Sequence, residues 1–177
     1  MGKVKIIVVN GVSRSGKDTF IDFLRTEVPV LIEHSTIKTV SQSLCDYSML
    51  DYRKKGMKER KFLASVKQAW IEYNDGPFQE VVSRKNSLER DYKFQNNIDR
   101  ILLVVQVREP EEIKKLSNFF DTDMWSVLVK RIGAKFQHIT DEFVEDWDYD
   151  FIIHNYGPLK DMEKHVNNFI YFLSKEK

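Results

Sequence analysis

Val4-Lys5-Ile6-Ile7-Val8-Val9-Asn10-Gly11-Val12-Ser13-Arg14-Ser15-Gly16-Lys17-Asp18-Thr19 is the stretch from which the rest of this chain can be read. The run Val4–Val9 is apolar enough for a strand buried on both faces. Gly11, Gly16 and Lys17 then fall at the spacing G-x-x-x-x-G-K. A buried strand that ends in such a turn presents converging backbone N–H groups, and these suit phosphate oxygens. The helix that follows adds the positive end of its dipole, and the lysine reaches the outer phosphates. The Ser or Thr expected after the lysine is replaced by Asp18, with Thr19 one place later. Phe20, Ile21, Phe23 and Leu24 give the helix an apolar face, and Pro29 stops it.

The bulk numbers set limits on the partners. The chain has 177 residues, 42% of them hydrophobic and 31% charged, with a formal net charge of +1. That length supports a substantial core, and we expect one domain spanning 1–177. A charge so near zero gives no support to binding nucleic acid through its phosphates. One cysteine, Cys45, excludes an internal disulfide and a Cys-rich zinc site, suits a reducing compartment, and reads as a small buried apolar residue. No apolar run approaches the ~20 residues of a membrane helix. A myristoylation signal would need Ser or Thr where Ile6 stands, and a signal peptide would need a cleavage site where the glycine loop lies. We therefore expect a cytoplasmic protein with no membrane partner.

Outward from the loop, Val30–Ile32 reads as a second strand, and a helical stretch is expected near Lys38–Asp46. From about Glu59 to Tyr73, Phe62, Leu63, Val66, Ala69, Trp70 and Tyr73 recur at helical spacing. Asn74-Asp75-Gly76-Pro77 is a turn, and a charged helix follows over about 78–90. Ile101–Val107 is a second strongly apolar strand. Pro110 suits the first position of a helix that runs to about Phe119. Ser126–Lys130 and Phe151–His154 are short strands, and Gly157-Pro158 opens a last amphipathic helix carrying Leu159, Met162, Val166, Phe169, Ile170 and Leu173. Apolar strands alternating with amphipathic helices predict an α/β fold, a parallel sheet covered on both faces. Ligands of such sheets bind beyond the carboxyl ends of the strands, so the glycine loop, Arg108 and the Asn155-Tyr156-Gly157 turn should share one rim.

Three segments together resemble the nucleoside monophosphate kinase superfamily of P-loop proteins, and within it the phage-type deoxynucleoside monophosphate kinases. They are Gly11–Thr19, Val107-Arg108-Glu109-Pro110-Glu111-Glu112-Ile113, and Asp148–Gly157. Gly16-Lys17-Asp18 is also similar to animal-type phosphomevalonate kinases, and the closing strand to dephospho-coenzyme A kinases. The resemblance implies a P-loop NTPase three-layer fold with a five-stranded parallel sheet of order 2-3-1-4-5. It also implies an acceptor-binding helical insert over about 35–95, a short lid over about 131–146, and ATP and Mg²⁺ as cofactors. The partners expected are ATP and a small phosphorylated acceptor, with a homodimer left open.

On this reading Gly11, Ser13, Arg14, Ser15, Gly16, Lys17, Asp18 and Thr19 form the phosphate cradle, with Lys17 the first catalytic candidate. Arg14 either leans on a phosphate or pairs with a carboxylate. Asp18 either ligates Mg²⁺, which takes hard oxygen ligands and keeps several waters, or caps the helix. Arg108 follows a buried strand and can hold an acceptor phosphate in a bidentate pair; its alternative is a salt bridge to Glu109 or Asp99. Lys130 and Arg131 stand where the superfamily places lid arginines. Arg131 is the better candidate because its delocalised charge matches a transferring phosphoryl group.

Asn155 and Gly157 are candidates for the adenine side, through backbone groups. Ser35, Lys38, Arg60, Trp70, Tyr73 and Asp75 lie in the acceptor segment. Trp70 and Tyr73 read first as core, with stacking on a base as the alternative, and Asp75 reads first as a turn former. Lys54, Lys55, Lys58, Arg60 and Lys61 would suit any anionic group. Glu111 and Glu112, like Glu142, Glu145 and Asp146, read as solvated helical faces. His34, His138, His154 and His165 have no metal-ligand spacing. The reading in another class is a nucleotide-binding regulatory module.

Overall fold

In the computed structural model, residues 4–35, 56–93, 95, 98–133 and 143–175 are described. The expected helix near Lys38–Asp46, and with it Lys38, Cys45 and His138, lies outside them. Five strands form one parallel sheet: β1 (Val4–Asn10), β2 (Leu31–His34), β3 (Ile101–Gln106), β4 (Met124–Lys130) and β5 (Phe151–His154). Their order is β2-β3-β1-β4-β5, as the resemblance implied. The helices are α1 (Lys17–Glu27), α2 (Met57–Asn74), α3 (Gly76–Asp91), α4 (Pro110–Phe120) and α5 (Leu159–Lys175). Among the described residues no helix is long and apolar enough to cross a membrane.

β1 is central because both of its faces can be buried. Val4, Ile6 and Val8 point into a core closed by Val81 and Leu88 of α3 and by Ile113 and Leu116 of α4. Ile7 and Val9 point the other way, onto Phe20, Ile21 and Leu24 of α1 and Met162, Val166, Phe169 and Leu173 of α5. The period-two alternation of a strand thus distributes one apolar run between two cores. Phe20 and Phe169 meet edge to face, with ring centroids 5.5 Å apart.

Helix ends follow local chemistry. Val28 is extended, as the residue before a proline must be, and α1 stops one residue earlier at Glu27. Pro110 opens α4. Asp75 alone joins α2 to α3: at φ 56° its N–H reaches the Ile71 carbonyl at 2.8 Å. Gly76 follows because the Trp70 indole occupies the space a Cβ would need.

Three expectations need correction. β2 does not end at Ile32 but runs to His34, because register with β3 continues to His34↔Val105 and buries the imidazole. β4 begins at Met124 rather than Ser126, since Met124 already pairs with Ile6. The stripe on α2 is not a core stripe either. Leu63 is buried, but Phe62 is exposed and Tyr73 is 84% exposed. That helix packs mainly on α3 rather than on the sheet.

Phe20→Ala should cost about 3–5 kcal/mol, read as a lowered urea midpoint with unchanged slope. Tyr171→Ala, on the exposed side of α5, should stay within about 0.5 kcal/mol.

Candidate active site

All five strands run parallel, so their carboxyl ends form one rim. The loop after β1, Ser35 after β2, Arg108 just past β3, Arg131 after β4 and Asn155 after β5 lie along it. The loop at residues 11–16 is shaped by three left-handed residues: Gly11 at φ 145°, Arg14 at 64° and Gly16 at 104°. A Cβ on Gly11 would run into the Val129 carbonyl and Ser15 Oγ; one on Gly16 would run into the Asn155 amide. Only glycine fits at either end of the cradle. The Ser15 N–H closes the turn onto the Val12 carbonyl at 3.1 Å. Ser15 Oγ is fully buried with no hydrogen-bond partner among the described residues. The first-turn N–H groups of α1 have no helical acceptor, and Gly16 caps the helix with no side-chain bond. Open N–H groups, a glycine cradle and a buried hydroxyl are a donor set that fits phosphate.

Lys17 is nine-tenths buried, and its Nζ donates to the Val12 carbonyl at 3.1 Å, so the ammonium is held over the loop. Arg14 is exposed, and Ser13 and Thr19 are half-buried. Asp18 lies in the first turn of α1 and makes no capping bond; its Oδ1 accepts from Gln106 Nε2 at 3.3 Å. The same nitrogen donates to Glu33 Oε1 at 2.9 Å, while Glu33 Oε2 takes Arg25 at 3.0 Å. Gln106 therefore gathers two carboxylates beside the phosphate loop. Sequence reading missed both it and Glu33. No group of three or more His, Cys, Asp or Glu among the described residues could cage a metal. Mg²⁺ needs no such cage, because one or two carboxylates and substrate phosphates suffice, and this oxygen set fits it.

Arg108 is half-buried at the end of β3, and its carbonyl accepts from Asn10 at 3.2 Å. Glu109, one of its two alternative partners, is bound instead to Lys67 of α2 at 3.0 Å. Lys67 also lies 2.8 and 2.9 Å from the two oxygens of Glu112. Glu112 is thus no solvated helical face. Burial pushes its carboxyl up to about 7, against the pull of Lys67. Lys67 is held above its usual range by the two carboxylates, which outweigh its burial, and it holds Glu109 below the usual carboxylate range. A lone buried lysine has no sequence signature; only the meeting of α2 with α4 reveals it.

The remaining candidates separate. Asn155 does not offer its backbone N–H to a base: that group bonds the Lys130 carbonyl at 2.8 Å, and the side chain donates to the Ser15 carbonyl at 2.8 Å. It braces the loop. Gly157 is exposed beside Asp161. Lys130 is paired with Glu145 at 2.7 Å, a carboxylate that stays exposed as expected, and Arg131 is exposed as well. A cleft of about 230 Å³ lies between Val12, Lys130, Arg131, Val144, Glu145 and Tyr156. A hollow of about 610 Å³ on α3 has no phosphate-loop residue in its wall, so the smaller cleft is the one the chemistry favours. Asp75 is committed to the helix junction and to Lys115. Trp70 is half-buried against Gly76, Tyr73 stands in solvent, and Ser35 and Arg60 are half-buried.

No protein-family model matches the chain, and no curated protein matches it. Among solved structures it is similar to the dephospho-CoA kinase of Campylobacter jejuni, with a TM-score of 0.52, 12% identity, and 98% of this chain and 99% of that one covered. It is also similar to the shikimate kinase of Aquifex aeolicus, with a TM-score of 0.46, 12% identity and coverage of 96% and 98%. At such identities the likeness is one of fold, and the Campylobacter structure carries it. The chain has the P-loop NTPase three-layer fold: a five-stranded parallel sheet of order 2-3-1-4-5 with helices on both sides.

Lys67→Met should lower stability by about 3 kcal/mol near pH 8, because two carboxylates are left facing each other. The folded state binds a proton at Glu112 more tightly than the unfolded chain does. Stability from this group is therefore lost as pH rises between about 4.5 and about 7. Glu109, held down, titrates below that window, and Lys67, held up, above it. Glu112→Gln should flatten the urea-midpoint profile across the window; an unchanged slope would refute the assignment.

Proposed function

We propose that this protein transfers the terminal phosphoryl group of ATP to a small phosphorylated acceptor, most directly a nucleoside or deoxynucleoside monophosphate. The observation that carries this reading is the pairing of two sites on neighbouring strand ends. A glycine cradle with a buried lysine follows β1, and an arginine follows β3, the two strands being in register to Val9↔Gln106. A triphosphate in the cradle would place its outer phosphate under Lys17, on the strand end next to the one that carries Arg108.

Each residue then has a defined task. The N–H groups from Gly16 to Thr19 hold the inner phosphates, with Ser13, Arg14 and Ser15 in the same loop, whose Gly11 and Ser15 N–H groups are used within the fold. Lys17 neutralises charge that spreads onto the transferring group. Arg108 holds the acceptor phosphate in a bidentate pair, and Arg131 approaches from the far side of the cleft. Asp18, with Glu33 placed beside it by Gln106, would hold Mg²⁺, whose charge would screen that of the phosphates. No general base is required, because the acceptor phosphate is already ionised at neutral pH. The Tyr156 side of the small cleft suits the nucleotide base. The acceptor is bound along Arg60 and the segment from Ser35 through Lys38.

The likeness to a dephospho-CoA kinase supports a second reading in which that compound is the acceptor, and phosphomevalonate belongs in the same test. ADP release should be measured with a panel of nucleoside and deoxynucleoside monophosphates, dephospho-coenzyme A and phosphomevalonate. Acceptor-stimulated release by a monophosphate is the expected result; none from any compound would overturn the proposal in favour of a regulatory module. Lys17→Met should lower kcat by about 10²–10³-fold. Arg108→Lys should raise the acceptor KM and leave the ATP KM within about twofold. Asp18→Asn should raise the magnesium concentration needed for half-activity.

A further inference from the structure

Asn10, the last residue of β1, is completely buried although it is polar. Its Oδ1 accepts the Gly11 N–H at 2.7 Å. Its Nδ2 donates one proton to the Arg108 carbonyl at 3.2 Å and the other to Tyr149 Oη at 2.7 Å. The Tyr149 hydroxyl donates onward to the Val144 carbonyl at 2.7 Å. Flipping the Asn10 amide would put an oxygen against the Arg108 carbonyl and a nitrogen against the Gly11 N–H, so its orientation is determined. Burial pushes the Tyr149 hydroxyl up to about 12, which keeps it a neutral donor.

We propose that Asn10 and Tyr149 are positioning residues that lock Arg108 and the 143–149 segment to the first glycine of the phosphate loop. The inference rests on the reading of Arg108 as the acceptor-phosphate ligand. Three segments far apart in sequence meet on one amide, and two of the bonded atoms belong to the backbone of Gly11 and Arg108 themselves. A polar amide in an apolar core is tolerated only when its bonds are made, and here they are made to the parts that must keep a fixed separation. Val144, also buried, lines the small cleft, so the same chain sets one of its walls. Lys17 Nζ donates to the Val12 carbonyl, which is not an atom of this network. Losing the network should therefore disturb the acceptor side before nucleotide binding.

The test uses the full chain with Tyr149→Phe and Asn10→Asp. The first deletes the hydroxyl and keeps the ring; the second keeps the Gly11 bond and replaces the donor facing Arg108 with an acceptor. Amide hydrogen exchange, followed by mass spectrometry, should rise in peptides covering 107–109 and 143–149 in both variants, with α1 unchanged. MgATP binding by calorimetry should stay within about twofold, while kcat/KM for the acceptor falls about tenfold. Exchange that rises only around the substituted residue would overturn the proposal, as would equal losses for ATP and acceptor. If wild type shows no acceptor-stimulated turnover, the kinase reading fails. The exchange pattern still decides the coupling between the three segments.

Discussion

Two hydrogen atoms, the second Hα of Gly11 and of Gly16, set the terms for this rim. Any side chain at either position would collide with the Val129 carbonyl, Ser15 Oγ or the Asn155 amide. The loop can therefore lie close against β4 and the β5 turn. The approach is held from both sides. Asn155 donates to the Ser15 carbonyl, and Asn10 accepts the Gly11 N–H. The buried strand beneath supplies the rigidity, since every residue of β1 but Lys5 is fully covered.

Around this loop, several charges are paired with one another. Lys130 and Lys67 are occupied by Glu145, Glu109 and Glu112, so they serve structure. Lys67 draws α2 down onto the start of α4 with two carboxylates on a single ammonium, and burial pushes the carboxyl of one of them, Glu112, up against the pull of that ammonium. The segment bearing Arg108 is thereby anchored on both sides: by that ion cluster beyond it and by the Asn10 amide before it.

The phosphate loop was legible because its signal is local. Glycine spacing, the preceding apolar run and the following amphipathic helix lie within about two dozen residues. Strand β3, the Pro110 helix start and the Asp75 turn were legible for the same reason. Periodicity failed on α2, where apolar spacing says that a helix forms but not whether it faces a sheet or another helix. Tyr73 therefore stands in solvent. Glu112 was misread because a charged residue in a first helical turn is ordinarily solvated, and its burial depends on a lysine more than forty positions away. Asn155 lies on the rim, but its N–H and side-chain amide bond the fold, a use that the sequence could not show because a rim residue can touch either a ligand or the loop.

By itself the sequence determined that a parallel α/β sheet forms and that a glycine turn of G-x-x-x-x-G-K spacing ends its first strand. Hydrophobic period and glycine placement act over short distances and need no partner. Tertiary structure alone decided which polar side chains are spent on one another. Gln106 with Asp18 and Glu33, Lys67 with Glu109 and Glu112, and Asn10 with Tyr149 all join residues distant in the chain. Hydrogen bonds and ion pairs are short-ranged and directional, so such pairings exist only once the strands have been laid side by side.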